Sequence, residues 1–197
     1  MIRVGVTGGI GSGKSLVCEV FSKLGIPVYS ADEEAHFVTN ADPLIRLELI
    51  DIFGPSIYNG DSLNRLILAE LIFKDKDLLQ RVNQIIHPRV AEHFDNWCRN
   101  FSSYPYVIQE SAIIFESGAF RSFHRIVAVT APEELRLQRV MTRKNMTHEK
   151  FQSILRNQLC EEDLKDRSDF LIINDDIAPL LPQILNLHNL LISINLE

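Results

Sequence analysis

The run Gly8-Gly9-Ile10-Gly11-Ser12-Gly13-Lys14-Ser15, directly behind the apolar stretch Ile2-Arg3-Val4-Gly5-Val6-Thr7, leaves this chain few ways to fold. It fits G-x-x-x-x-G-K-[ST], a pattern that requires a strand before it and a helix after it. The apolar stretch reads as a buried strand. Leu16-Val17-Cys18-Glu19-Val20-Phe21-Ser22-Lys23-Leu24 then repeats apolar residues at helical spacing until Gly25 can cap it. Glycines let the backbone turn tightly, so that successive N–H groups point inward at phosphate oxygens. The N-terminus of the following helix adds partial positive charge. Lys14 then reaches the β/γ-phosphates and the Ser15 hydroxyl ligates Mg²⁺. The stretch predicts a nucleoside-triphosphate site.

A chain of 197 residues buries a sizeable core and suits one domain carrying inserted subdomains. The formal charge of −6 argues against nucleic acid as the main partner. No apolar run is long enough to span a bilayer, so no membrane partner is expected. The opening residues pass straight into the first strand, and we expect no signal or transit peptide. Cys18, Cys98 and Cys160 are far apart and odd in number, which fits buried thiols in a reducing compartment and hence a cytoplasmic enzyme.

Along the chain, apolar strand candidates alternate with helical stretches, the signature of an α/β fold with a parallel sheet. The strands are Ile2–Thr7, Pro27-Val28-Tyr29, Tyr106–Glu110, Arg125–Thr130 and Phe170–Ile173. Their continuous apolar character predicts cover on both faces. The long segment between the second and third strands reads as helical. One apolar face is Leu63, Leu66, Ile67 and Leu71. A second is Leu78, Leu79, Val82, Ile85 and Ile86, closed by His87-Pro88, and a third is Val90, Phe94, Trp97 and Phe101. Phe53-Gly54-Pro55 through Asn59-Gly60-Asp61 reads as the loop within this segment. Glu133 to about Arg167 is helical and charged, and Ala178 to Leu191 forms a final apolar helix.

The expected architecture is therefore a five-stranded parallel sheet flanked by helices, of P-loop NTPase type, with a helical substrate subdomain and a lid. The core takes about 1–32, 104–132 and 168–197, the helical acceptor-side subdomain about 33–103, and the lid about 133–167.

In such sheets ligands bind beyond the carboxyl ends of the strands. Asp32, just past the second strand, suits a general base or a water-mediated Mg²⁺ partner; equally, it suits a cap on a helix starting at Glu33. Arg139 and Arg143 are four residues apart on one helix face, and with Arg136 they make a cationic stripe opposite Glu133 and Glu134. Phosphoryl transfer needs such charge on a closing lid, although a solvated face with weak ion pairs has the same pattern. Lys144 and Lys150 crowd the same segment. His87-Pro88 reads as a helix-ending pair with a solvent-facing imidazole. Asp51-Ile52-Phe53-Gly54 matches the D-x-x-G of nucleotide switches, but it follows a helical pattern and no N-K-x-D accompanies it, so we read it as coincidence.

Taken in order, Thr7 to Ser15, Ala31-Asp32, Phe53-Gly54, Leu63-Asn64-Arg65, Ile86-His87-Pro88, Phe115-Glu116 and Gln138-Arg139 resemble the motifs of the dephospho-coenzyme A kinase family over nearly the whole chain. The resemblance implies transfer of the γ-phosphate of ATP to the ribose 3′-hydroxyl of dephospho-CoA, the last step of CoA synthesis, with Mg²⁺ as cofactor. It implies Asp32 as general base, Lys14 and Arg139 on the phosphates, and Gly9, Gly11, Ser12, Gly13, Ser15, Leu16 and Asn174 around ATP. Asp32, Arg65, His87, Phe115 and Glu116 would line the acceptor side. Tyr29-Ser30-Ala31-Asp32 lacks the first aspartate of the family's D-A-D. Leu16, Asn64 and Ser111-Ala112-Ile113-Ile114 also depart from the usual residues. The same architecture also suits a kinase for another small-molecule or nucleotide acceptor, and a nucleotide-dependent switch is the reading from a different class. Oligomeric state is left open.

Overall fold

The computed structural model describes residues 1–72, 75–142 and 146–194. In chain order the elements are β1 (Ile2–Thr7), α1 (Lys14–Lys23), β2 (Val28–Ser30), α2 (Ala31–Ala41), α3 (Pro43–Phe53), β3 (Tyr58–Asn59), β4 (Ser62–Leu63), α4 (Arg65–Ile72) and α5 (Lys76–Asn100). There follow β5 (Tyr106–Glu110), β6 (Arg125–Thr130), α6 (Glu133–Met141), α7 (His148–Leu155), α8 (Glu161–Arg167), β7 (Phe170–Ile173) and α9 (Leu180–Ser193). The chain divides into two compact units, Met1–Ser30 with Asn100–Glu197, and Ala31–Arg99. Among the described residues no helix is long and apolar enough to cross a membrane.

The first unit is built on a parallel sheet in the order β2-β5-β1-β6-β7, with β1 between β5 and β6. Register pairs Val6 with Glu110 on one side and with Val127 on the other. Side chains alternate across each strand; β1, β5 and β6 are covered on both faces as expected, whereas the edge strand β7 leaves Leu171 and Ile173 exposed on one face. Val127 and Val129 face α1 and α9 through Val17, Phe21, Ile184 and Leu187. Ile126 and Ala128 pack on the opposite side with Ile114, Phe115 and Leu164. Burying a side chain such as Phe21 completely is worth about 1.5–3 kcal/mol. Because every strand runs the same way, Thr7, Ser30, Glu110, Thr130 and Ile173 all end on one edge, the edge from which the phosphate loop starts.

The second unit has its own core of Val38, Ile45, Leu49, Ile57, Tyr58, Leu68 and Val82. Several expectations change here. His87-Pro88 does not end a helix: α5 runs 25 residues with Pro88 inside it. A proline there deletes one backbone hydrogen bond and costs about 3 kcal/mol. Val82, Ile85, Ile86 and Val90, packed on one core on both sides of the proline, outweigh that cost. The stretch read as a loop contains a hairpin, Tyr58 opposite Leu63 and Asn59 opposite Ser62, turning at Gly60 with φ +61°. On α4 the buried residue is Leu68, whereas Leu66, Ile67 and Leu71 are exposed.

Two further corrections belong to the first unit. The charged segment after β6 is broken into α6, α7 and α8, the latter two started by caps: Thr147 Oγ1 accepts from Lys150 N–H and Cys160 Sγ from Asp163 N–H. Cys160 is exposed because it serves as that cap, while Cys18 and Cys98 are buried. Arg143 and Lys144 lie outside the described residues.

Candidate active site

The loop between β1 and α1 is held open by its own carbonyls. Lys14 Nζ donates to the carbonyls of Gly8 at 2.8 Å and Gly9 at 3.2 Å, and Ser12 N–H closes a turn onto Gly9 O at 3.1 Å. Gly13 stands at φ +95°, and a Cβ there would lie 2.1 Å from Asn174 Nδ2, so position 13 admits only glycine. That Asn174 amide, on the turn after β7, is 8% exposed and donates to Ser12 O at 2.8 Å. Asn174 is thus a strut under the loop. Gly9, Gly11, Ser12 and Gly13 form the concave backbone, with Ser12 fully buried and Leu16 half exposed on α1.

At the helix end of the loop, Ser15 Oγ donates to Glu110 Oε1 at 2.7 Å. Glu110 was not singled out from sequence. Its signal was available: an acidic residue at the carboxyl end of the strand that neighbours β1. A hydroxyl and a carboxylate side by side are hard oxygen donors, the set that suits Mg²⁺ arriving with phosphates and waters. The donor set therefore fits the ion.

The arginines of α6 separate. Arg136 does not join a solvent stripe: it is 8% exposed, donates from Nε to Ala131 O at 3.0 Å, and lays its guanidinium where a side chain on Gly9 would stand. Arg139 donates to Asn174 O at 3.0 Å and to Asp176 Oδ1 at 2.5 Å. The Asp176 carboxylate is largely exposed, whereas the Arg139 side chain is mostly buried. Asp175 accepts from Ala178 and Ile177 N–H groups, which hold its carboxyl below the usual range. Phe115 is buried in the core cluster against Phe120, and the exposed Glu116 accepts from Leu159 N–H at 2.7 Å.

In the second unit, Asp32 does not cap α2, because the helix already begins at Ala31; its exposed carboxylate sits in the first turn. His36, one turn further along α2, meets the Arg65 guanidinium from the start of α4. Burial first, and then the Arg65 charge, push the His36 imidazole below its ordinary value, while Asp32 and Glu33 pull the other way. Burial also lowers Arg65, opposed by Asp32. Sequence reasoning missed His36, although four-residue spacing from Asp32 was the available signal. His87 is half-buried within α5 instead of facing solvent, because the helix continues past Pro88, and that burial lowers its pKa.

The first unit therefore holds a glycine-rich backbone cradle with a cation on its carbonyls and an oxygen pair at its mouth, and the second unit, taken by itself, gathers an aspartate, a histidine and an arginine. A family model for dephospho-CoA kinase (CoaE) matches residues 2–179. The chain is 44% identical to a dephospho-CoA kinase of Bacteroides fragilis over 94% of this chain and 91% of that one. It is 38% identical to one of Porphyromonas gingivalis over 95% and 93% of the two chains. A crystal structure of a Thermus thermophilus protein superposes with a TM-score of 0.84 at 30% identity, covering 98% of both chains. On this evidence of sequence and fold together, the chain belongs to the dephospho-CoA kinase family.

Proposed function

We propose that the protein transfers the γ-phosphate of ATP to the ribose 3′-hydroxyl of dephospho-CoA, giving CoA and ADP in the last step of CoA biosynthesis. The observation that carries phosphoryl transfer is the Ser15–Glu110 oxygen pair beside a loop whose lysine is already seated on Gly8 and Gly9. The acceptor follows from the family match over residues 2–179.

In this reading the loop amides and the N-terminus of α1 bind the triphosphate, and Lys14 stays on the β/γ-phosphates. Ser15 and Glu110 would hold Mg²⁺, which would supply charge neutralisation of the triphosphate. Arg139 leaves Asp176 for the phosphates. Asp32 takes the proton of the 3′-hydroxyl as the oxygen attacks in line. Arg65, which meets His36, binds the acceptor; the family resemblance adds His87, Phe115 and Glu116 as acceptor contacts. We assign the enzyme to the cytoplasm, where ATP is made and thiols stay reduced.

ADP release is followed with MgATP and a series of acceptors: dephospho-CoA, nucleosides, nucleoside monophosphates and shikimate. Stimulation by dephospho-CoA above all others is expected. Stimulation by another acceptor alone would leave a kinase of this architecture with a different substrate. Slow hydrolysis indifferent to every acceptor would refute the kinase reading.

A further inference from the structure

Gln158 lies where α7 hands over to α8, and contacts on both sides of it tie that connection to two loops of the core. Its Oε1 accepts from Ile10 N–H at 2.9 Å, and its Nε2 reaches the Ala112 carbonyl at 3.5 Å. Next to it, Leu159 N–H donates to Glu116 Oε1 at 2.7 Å.

The bond to Ile10 matters most, because Ile10 N–H and Gly9 C=O belong to one rigid peptide plane. The oxygen of that plane accepts from Ser12 N–H at 3.1 Å and from Lys14 Nζ at 3.2 Å. It therefore closes the first turn of the loop and holds the lysine. Gly9 has no Cβ to resist rotation, so the plane needs an external restraint. The Arg136 guanidinium lies over Gly9, while its Nε donates to Ala131 O. A cavity of about 270 Å³ separates Gly9 and Ser12 from the α7–α8 connection, with Arg136, Leu155 and Gln158 in its walls.

We infer that Gln158 is a positioning residue that locks the Gly9–Ile10 peptide, and through it sets Lys14 and the loop amides for the triphosphate. The inference rests on the ATP reading above. It makes the segment after β6 a support of the phosphate cradle from behind.

The test uses the full chain. Amide exchange at Ile10 without nucleotide, the calorimetric Kd for MgATP, and KM for dephospho-CoA are compared in the parent, Gln158→Met and Gln158→Glu. Methionine keeps the length and removes both polar atoms, whereas glutamate keeps the acceptor. In Gln158→Met, Ile10 should exchange about tenfold faster and MgATP bind about 3–10-fold more weakly, the range expected for one lost hydrogen bond. KM for dephospho-CoA should not move, and Gln158→Glu should retain the Ile10 protection. Parent-like exchange in Gln158→Met, or lost protection in Gln158→Glu, would overturn the assignment. So would a joint rise in both substrate constants with a lower Tm, which is what general loosening produces. A parent that ignores dephospho-CoA would sink the acceptor reading while leaving the exchange measurement to decide Gln158.

Discussion

In the phosphate loop the working atoms belong to the backbone, with Gly8 and Gly9 carbonyls around Lys14 and Asn174 bracing Ser12 from beneath. On α2 and α4 they are side chains: Asp32, His36 and Arg65 project from helices and remain exposed. A backbone cradle dictates its sequence, because only glycine fits where Gly13 stands at φ +95° against Asn174. A side-chain cluster dictates only that certain groups arrive together. On the proposed assignment, donor recognition would be rigid and local, and acceptor recognition distributed and open to substitution.

That contrast is broken if changes in one region alter the constants belonging to the other. The largest effect is expected for Asp32→Asn. Losing the proposed general base should lower kcat by about 10²–10⁴-fold, with the calorimetric Kd for MgATP unchanged. Lys14→Met should lower kcat by about 10²–10³-fold and weaken MgATP, while leaving the Kd of dephospho-CoA at its parent value in equilibrium binding. Arg65→Met removes a charge-assisted contact, and steady-state kinetics should show KM for dephospho-CoA raised about tenfold with the ATP constants unmoved.

The smallest effect concerns stability. Burial lowers the His87 pKa from its ordinary 6.5, so the folded state takes up its proton less readily than the unfolded chain. Its contribution to stability is full above 6.5 and is lost as the pH falls from there through the depressed folded value. Tm measured against pH should therefore decline less steeply on the acid side in His87→Gln than in the parent.

How much was legible in the sequence follows the same divide. Ile2–Thr7, Tyr106–Glu110 and Arg125–Thr130 were readable as strands because double-sided burial makes them continuous apolar runs ended by breakers such as Ala131-Pro132, and Phe170–Ile173 has the same apolar run although Leu171 and Ile173 are exposed at the sheet edge. Helical character in the second unit was readable from periodicity, but its boundaries were not. Tertiary packing carries α5 across Pro88, and strands of two residues such as Tyr58–Asn59 leave no periodic trace. Within the site, the glycine loop announced itself. Glu110 was legible only as a carboxylate ending a strand, since the pairing that places β5 beside β1 is non-local, and Gln158 meets Ile10 from 148 residues away, a pairing no local pattern can encode.

The most direct trial of the account is chemical. The protein is incubated with MgATP and dephospho-CoA, and the product is identified by mass and by the position of the new phosphate. We expect ADP and a product heavier by one phosphoryl group at the ribose 3′-oxygen. ADP with free inorganic phosphate and unaltered dephospho-CoA, or a phosphate on any other hydroxyl, would contradict the account.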